Sequence, residues 1–286
     1  VDPDALALLL RLDYIPAPHS ILRGVRKLPA GHLLRLDAAA LAARELPAPR
    51  AWWSALDAQR AAITRGFEGD ETAALDQLDV LLRDATALRM EADVPLGSFL
   101  SGGTDSSLVT ALMQAQSSQP VRTFSIGFDN AVHDESEQAA AVAAHLGTAH
   151  TPLHVDGRAA LDLVPELPRL FDEPFADASQ IPTYLVSQLA RREVTVALSG
   201  DAGDEIFGGY NRYFLAARLW RRLETAPLLL RKVAALGITT VPVGAWNALY
   251  AAASPLIPAR ARLSMAGDKL HKGAGVLAAR SGRDLY

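Results

Sequence analysis

The residues best equipped for chemistry lie in the stretch Leu100-Ser101-Gly102-Gly103-Thr104-Asp105-Ser106-Ser107. Adjacent glycines at 102 and 103 let the backbone turn through positive φ and let a ligand approach the main chain. Ser101, Thr104, Ser106 and Ser107 bring hydroxyls, and a helix starting just beyond would add unpaired N–H groups. Such a set makes an anion cradle suited to phosphate. Asp105 is the odd member, because a carboxylate belongs in an anion site when a divalent cation bridges it to the phosphates. The plainer alternative is a glycine turn into a helix that Asp105 caps.

A second stretch repeats the pattern. An apolar run at 194–198 ends in Ser199-Gly200-Asp201-Ala202-Gly203-Asp204-Glu205-Ile206-Phe207-Gly208-Gly209-Tyr210. Carboxylates at 201, 204 and 205 could compensate a helix dipole, an adequate account for one of them and a weaker one for three. Like charges this close favour a cation or a proton between them. Asp105 and Asp204 are the expected ligands of Mg2+, since oxygen donors suit a hard cation that also binds phosphate.

These stretches need strands that end where they begin. The apolar run 94–100 leads into the first and is preceded by a helix over 71–92, where Leu75, Leu78, Leu82, Ala85 and Leu88 recur at helical spacing. Strands at 121–128 and 151–155 alternate with helices at 134–146, 158–171 and 181–191 before the strand at 194–198. This alternation predicts an α/β fold, a parallel sheet with helices on both faces, whose ligands sit beyond the carboxyl ends of the strands. Upstream, Asp4 is expected to cap a short helix over 1–12, residues 19–37 read as short strands around a Pro-Gly turn, and the Ala-rich 38–65 reads as a packed connector.

The chain has 286 residues, half of them hydrophobic, enough for one or two domains. A net charge of −4 gives no basic footprint for nucleic acid. With no cysteine there is no disulfide framework and no thiol nucleophile, which fits a cytoplasmic setting. No signal-peptide pattern opens the chain. Residues 233–259 carry no charge, but Gly237, Pro242, Gly244, Pro255 and Pro258 divide them, so buried helical packing is expected rather than a membrane span. His19 and His32 read as structural, and Asp134 and Glu135 as helix-start residues.

Ser101-Gly102-Gly103-x-Asp105-Ser106 resembles the pyrophosphate loop of N-type ATP pyrophosphatases, which have an adenine-nucleotide α-hydrolase-like fold. The run from Leu198 to Tyr210 is similar to the glutamine-dependent asparagine synthetase family. Between them Thr123-Phe124-Ser125-Ile126-Gly127-Phe128, Asp134-Glu135, Gly147-Thr148-Ala149-His150 and Asp172-Glu173-Pro174-Phe175 fall in the family's order. Tyr14-Ile15-Pro16-Ala17-Pro18 and Lys27-Leu28-Pro29-Ala30-Gly31-His32 resemble its exit from a glutaminase domain. The resemblance implies a remnant of that domain and linker over 1–65, and a synthetase domain with a helical C-terminal part over 66–286.

It also implies an activity: ATP converts aspartate to β-aspartyl-AMP and pyrophosphate, and ammonia then displaces AMP to give asparagine. By resemblance, Ser101, Gly102, Gly103, Asp105 and Ser106 hold pyrophosphate, and Leu100, Ile126, Ser199 and Gly200 line the adenosine pocket. Asp105 and Asp204 carry Mg2+, and Asp201, where many members have Glu, serves adenylate formation and the ammonia step. Asp172, Glu173 and Asp177 are candidates for the substrate side. The family's glutaminase cysteine has no counterpart here, so the glutaminase half is expected to be absent from this chain and ammonia to come from elsewhere. The far end is expected to be incomplete too, since Lys269 and Lys272 do not match the family's phosphate-contacting lysine. Alternatives are a β-lactam synthetase-like or lasso-peptide cyclase-like ligase, or a non-catalytic fragment. No nucleic-acid or membrane partner is expected, and a homodimer stays open.

Overall fold

The computed structural model describes residues 1–128, 134–254 and 265–285, and the chain divides into two compact units, Val1–Asp201 and Ala202–Tyr286. In the first, α1 (Pro3–Leu12), β1 (His32–Leu33), α2 (Ala38–Ala43), β2 (Arg50–Ala51) and α3 (Ala55–Arg65) precede the main sheet. Asp2, not the expected Asp4, caps α1: its carboxylate accepts from the Asp4 and Ala5 amides. Pro3 takes the first helical position, where an amide hydrogen would find no partner anyway. Of the strands expected over 19–37 only β1 forms, antiparallel to β2. Residues 38–65 are not a packed connector. Alanine's helix propensity, with caps at Asp37 and Ser54, yields α2 and α3, and Trp52 and Trp53 between them stay exposed.

The sheet region follows. It runs α4 (Glu71–Met90), β3 (Leu96–Phe99), α5 (Thr104–Ala115), β4 (Arg122–Phe128), α6 (Ser136–Leu146) and β5 (Ala149–Val155). Then come α7 (Gly157–Leu163), a 3-10 turn (Val164–Glu166), α8 (Leu167–Leu170), α9 (Gln180–Ala190) and β6 (Val196–Leu198). The order across the sheet is β5-β4-β3-β6 and every pairing is parallel, the expected α/β fold. The single helix expected over 158–171 is instead three short pieces, because Pro165 and Pro168 cannot donate within a helix and open new turns. On α4, Leu78, Leu82 and Ala85 are half-buried and Thr86 buried, whereas Leu75 and Leu88 of the expected apolar face are exposed.

Side chains alternate along a strand, so β4 divides them between the two faces. Phe124, fully buried, packs with Val186, Leu189 and Ala190 of α9 and with Val194, and Ile126 lies against the same cluster. On the other face Leu100 packs with Ala139 and Ala143 of α6. Ser98 hydrogen-bonds Thr110 of α5 there, at 2.9 Å. His150 on β5 bridges two hydroxyls of β4, with Nδ1 2.9 Å from Thr123 Oγ1 and Nε2 3.1 Å from Ser125 Oγ. Burial disfavours its charged form and lowers its pKa below the usual histidine value. Helices thus cover both faces, as a parallel sheet requires.

The second unit is helical: α10 (Gly203–Phe207), α11 (Asn211–Leu223), α12 (Leu228–Thr240), α13 (Val243–Ala253), α14 (Ala266–Leu277) and a final 3-10 turn (Gly282–Leu285). The buried Arg231 donates to the carbonyls of Ala226 and Ala279 and lies 5.5 Å from the centre of the Trp220 ring. The charge-free stretch forms the later part of α12, after Arg231 and Lys232, and all of α13; the two helices are bent by 89° at their break, where Pro242 caps α13. Its last residues, 255–259, lie outside the described residues. Expected to be buried, it exposes Val233, Leu236 and Leu249 and buries Ala235. No single helix among the described residues is long and apolar enough to cross a membrane, and only this bent pair passes by length and composition.

Candidate functional site

Strand order fixes where a site can form. The chain steps from β3 outward to β4 and β5, then returns to place β6 on the opposite side of β3. The chain order therefore reverses at β3 and β6, and the carboxyl ends of this strand pair are the usual ligand position in open α/β sheets. Register aligns Ser98 with Leu198, so the loop starting at Leu100 runs beside the loop starting at Ser199. Both sequence-predicted stretches reach this point.

The loop after β3 is built by its own serines. Ser101 N donates to Ser106 Oγ (3.2 Å), the two hydroxyls are 2.9 Å apart, and Gly103 N donates to Ser101 Oγ (3.2 Å). Ser106 Oγ lies 3.3 Å from the Gly103 carbonyl, to which it donates. These hydroxyls, expected to hold pyrophosphate, are committed to shaping the loop, and the donors left open are main-chain amides. Gly103 caps α5 without a side chain, and the Thr104, Asp105 and Ser106 amides have no hydrogen-bond partner among the described residues. Among the described residues side-chain caps are found on α1 to α4 and α7, and not on α5, α6 or α8 to α14. Unpaired amides at a helix start, here those of Thr104 and Asp105 foremost, are the groups that bind anions.

Gly102 has φ 83, and a Cβ there would stand 2.8 Å from the Ala139 amide nitrogen, so only glycine fits. Its carbonyl accepts from Gln138 Nε2 at 2.9 Å. Leu100 is buried and its N–H donates to the Phe124 carbonyl at 2.9 Å. Ile126 is half-buried on the α9 face. Asp105, in the first turn of α5, makes no hydrogen bond or ion pair among the described residues. Ser107 Oγ is buried without a partner among the described residues, a feature invisible in a run of similar hydroxyl residues.

The loop after β6 comes against this one backbone to backbone. A Cβ on Gly200 would lie 2.6 Å from Ser106 N and 2.8 Å from the Asp105 carbonyl carbon. Ser199 Oγ donates to Asp201 Oδ2 at 2.9 Å, so the Asp201 carboxylate is oriented by its own turn while remaining exposed. A groove of about 480 Å³ starts at Ser199 and follows Val196, Val109 of α5, and Leu82 and Arg89 of α4. In the second unit, Ala202 (φ 73) opens α10, with Asp204 and Glu205 in its first turn. Glu205 accepts from the Tyr210 hydroxyl at 2.6 Å, and Asp204 folds over Gly209, where a Cβ would meet Asp204 Oδ1.

Other expected residues serve the scaffold. Glu173 accepts from the Ile21 amide (3.2 Å) and pairs with Lys27, which also donates to the Ile15 carbonyl, tying the N-terminal segment to the 172–177 loop. Asp177 accepts from Ser179, which lowers its pKa. Asp134, at the start of α6 as expected, is likewise held below the usual carboxylate range by Ser136. Among the described residues no three His, Cys, Asp or Glu side chains gather as a metal cluster.

Comparison with known proteins agrees with this geometry. Residues 77–286 match the asparagine synthase family. A candidate glutamine-hydrolysing asparagine synthetase of Methanocaldococcus jannaschii is 37% identical over 220 residues, 77% of this chain and 40% of that protein. Glutamine-hydrolysing asparagine synthetase 1 of Bacillus subtilis is 38% identical over 162 residues, 56% of this chain and 25% of its own length. The human glutamine-hydrolysing asparagine synthetase is 32% identical over 178 residues, 59% of this chain and 31% of that protein. The chain thus spans between 25% and 40% of the length of these curated relatives. Sheet order, paired loops and the match over 77–286 lead to one assignment: the chain belongs to the asparagine synthase family.

Proposed function

We propose that this chain activates the side-chain carboxylate of aspartate with ATP, forming β-aspartyl-AMP and releasing pyrophosphate, and transfers the aspartyl group to ammonia, releasing AMP and asparagine. The observation that carries this reading is the contact of the two Ser-Gly loops at the β3/β6 crevice, where Gly200 lies against Ser106 and the Thr104 and Asp105 amides have no hydrogen-bond partner among the described residues. Pyrophosphate is a highly charged leaving group, and fixed N–H dipoles aimed at it lower the barrier without reorganising.

In this reading the amides of Thr104, Asp105 and Ser106 receive the phosphates on the loop that Ser101, Gly102 and Gly103 shape. The Leu100 carbonyl, Ile126 and the Ser199-Gly200 backbone border the adenosine. Asp201, exposed beside that backbone and oriented by Ser199, serves adenylate formation and accepts the proton as ammonia attacks. A carboxylate without a competing hydrogen bond among the described residues suits a hard cation, and Asp105 would hold Mg2+. When bound, Mg2+ supplies charge neutralisation for the phosphates. Ammonia is the nitrogen donor assigned to this step, free or released from glutamine. The setting proposed is the cytoplasm.

The test is ATP–pyrophosphate exchange with aspartate and Mg2+, followed by product analysis with ammonium. Exchange dependent on aspartate, with asparagine formed on adding ammonium, is the expected result. Exchange with a different carboxylate but not aspartate would replace the substrate and keep the adenylation. Absence of exchange with every carboxylate would overturn the reading.

A further inference from the structure

Gln138 was not among the residues singled out by motif, yet it makes a side-chain contact from outside the phosphate loop to that loop's backbone. It stands in the first turn of α6, and its Nε2 is 2.9 Å from the Gly102 carbonyl. A carbonyl only accepts, so the nitrogen of the Gln138 amide, not its oxygen, must face it. The same peptide unit is held at its other end, where Gly103 N donates to Ser101 Oγ at 3.2 Å. Gly102 itself is buried against α6, with the Ala139 nitrogen and the Gln138 carbonyl carbon 2.8 and 2.9 Å from where its Cβ would be.

The peptide between Gly102 and Gly103 is flanked on both sides by residues without a Cβ, so sterics alone hold its orientation weakly. A flip would exchange its two ends. The Gly103 N–H would turn toward Gln138, and the Gly102 oxygen would turn toward the Ser101 and Ser106 hydroxyls, beside the open α5 amides. A carbonyl oxygen there presents partial negative charge where an anion is to sit. We propose that Gln138 is a positioning residue of the phosphate loop: its amide donor fixes the Gly102–Gly103 peptide in the orientation that accepts an anion. The inference rests on the reading of this loop as a phosphate site.

Two variants of nearly equal length separate this role from packing. Gln138→Met removes the donor. Gln138→Glu replaces it with an acceptor that repels the Gly102 oxygen and favours the flipped peptide. Binding of Mg·ATP to the chain, measured by calorimetry, is expected to weaken about 3–10-fold in Gln138→Met and by more than about 10-fold in Gln138→Glu. Lowering the pH protonates the glutamate and turns it back into a donor. The loss in Gln138→Glu relative to the unaltered chain at the same pH should therefore shrink as pH falls from 7 to about 4.5, close to the ordinary glutamate pKa. The loss in Gln138→Met should stay constant. Urea unfolding midpoints of both variants should match the unaltered chain, since the side chain is exposed on α6. Unchanged affinity in both variants, or equal and pH-independent losses, overturns the clamp and leaves the proposed function standing. Failure of the unaltered chain to bind Mg·ATP overturns both.

Discussion

Asp105 gains from the helix dipole in the first turn of α5, yet makes no hydrogen bond among the described residues. A carboxylate placed only to cap its helix would be expected to use its oxygens on neighbouring amides, as Asp2, Asp70 and Asp156 do. Asp105→Asn keeps the shape and removes the charge. Pyrophosphate exchange should fall on the order of 100-fold or more while the thermal midpoint stays nearly unchanged. Exchange near the original rate would remove Asp105 from the metal assignment. His150 makes a prediction of a different kind. Burial holds its folded pKa below the usual value of 6.5, so the unfolded chain takes the proton first as pH falls. Stability from this residue is complete above about pH 6.5 and declines as pH drops from there toward the folded pKa. Glutamine at this position can serve the Thr123 and Ser125 hydroxyls without titrating. The urea midpoint of His150→Gln should therefore fall less steeply than that of the unaltered chain between pH 7 and about 5.5.

Elements show how two loops distant in sequence become one crevice. Contact at Gly200 is set by backbone atoms, Ser106 N at 2.6 Å and the Asp105 carbonyl carbon at 2.8 Å from its absent Cβ, and neither can rotate away. Gly200→Ala should cost about 1–3 kcal/mol and raise the KM for ATP, because the loops must part to admit the methyl. Gly157→Ala is the control: a Cβ there meets nothing within 4 Å and φ is ordinary, so stability should hold or rise slightly. Much of this architecture is legible in the sequence. Strand, glycine turn and helix around Gly102 and Gly103 follow from local chemistry, as does the alternation that makes the sheet parallel. The misses have local or long-range causes. Pro165 and Pro168 divided a helix whose apolar spacing looked continuous. Asp2 displaced Asp4 as cap because Pro3 suits the first helical turn. Gln138 could not be found by pattern, since its partner Gly102 is brought near by the packing of α6 on the loop and not by spacing along the chain. Likewise Glu173 is a substrate-side candidate by resemblance, and only the fold shows Lys27 and the Ile21 amide using it.

For the whole molecule, the boundary between the two compact units falls between Asp201 and Ala202, inside the second motif. The first unit holds the sheet, the phosphate loop and the Ser199-Gly200-Asp201 turn, and the second begins with the helix of Asp204 and Glu205. Strand order adds a matter of timing. β3 pairs with β6, whose residues follow it by roughly 100 positions, whereas the β3–β4 pairing closes a much shorter loop. Contacts of long sequence separation form late, because loop closure must precede any gain from them. On a ribosome, the phosphate loop therefore emerges with α5 well before the strand that completes its crevice. In refolding from urea, recovery of ATP binding should lag behind recovery of helical circular dichroism. Simultaneous recovery would mean that β6 docks as early as the local βα units. Until that strand arrives, the nascent chain carries a parallel edge at β3 with open hydrogen-bonding groups, the kind of edge that recruits other strands, so this fold has reason to depend on chaperones during synthesis.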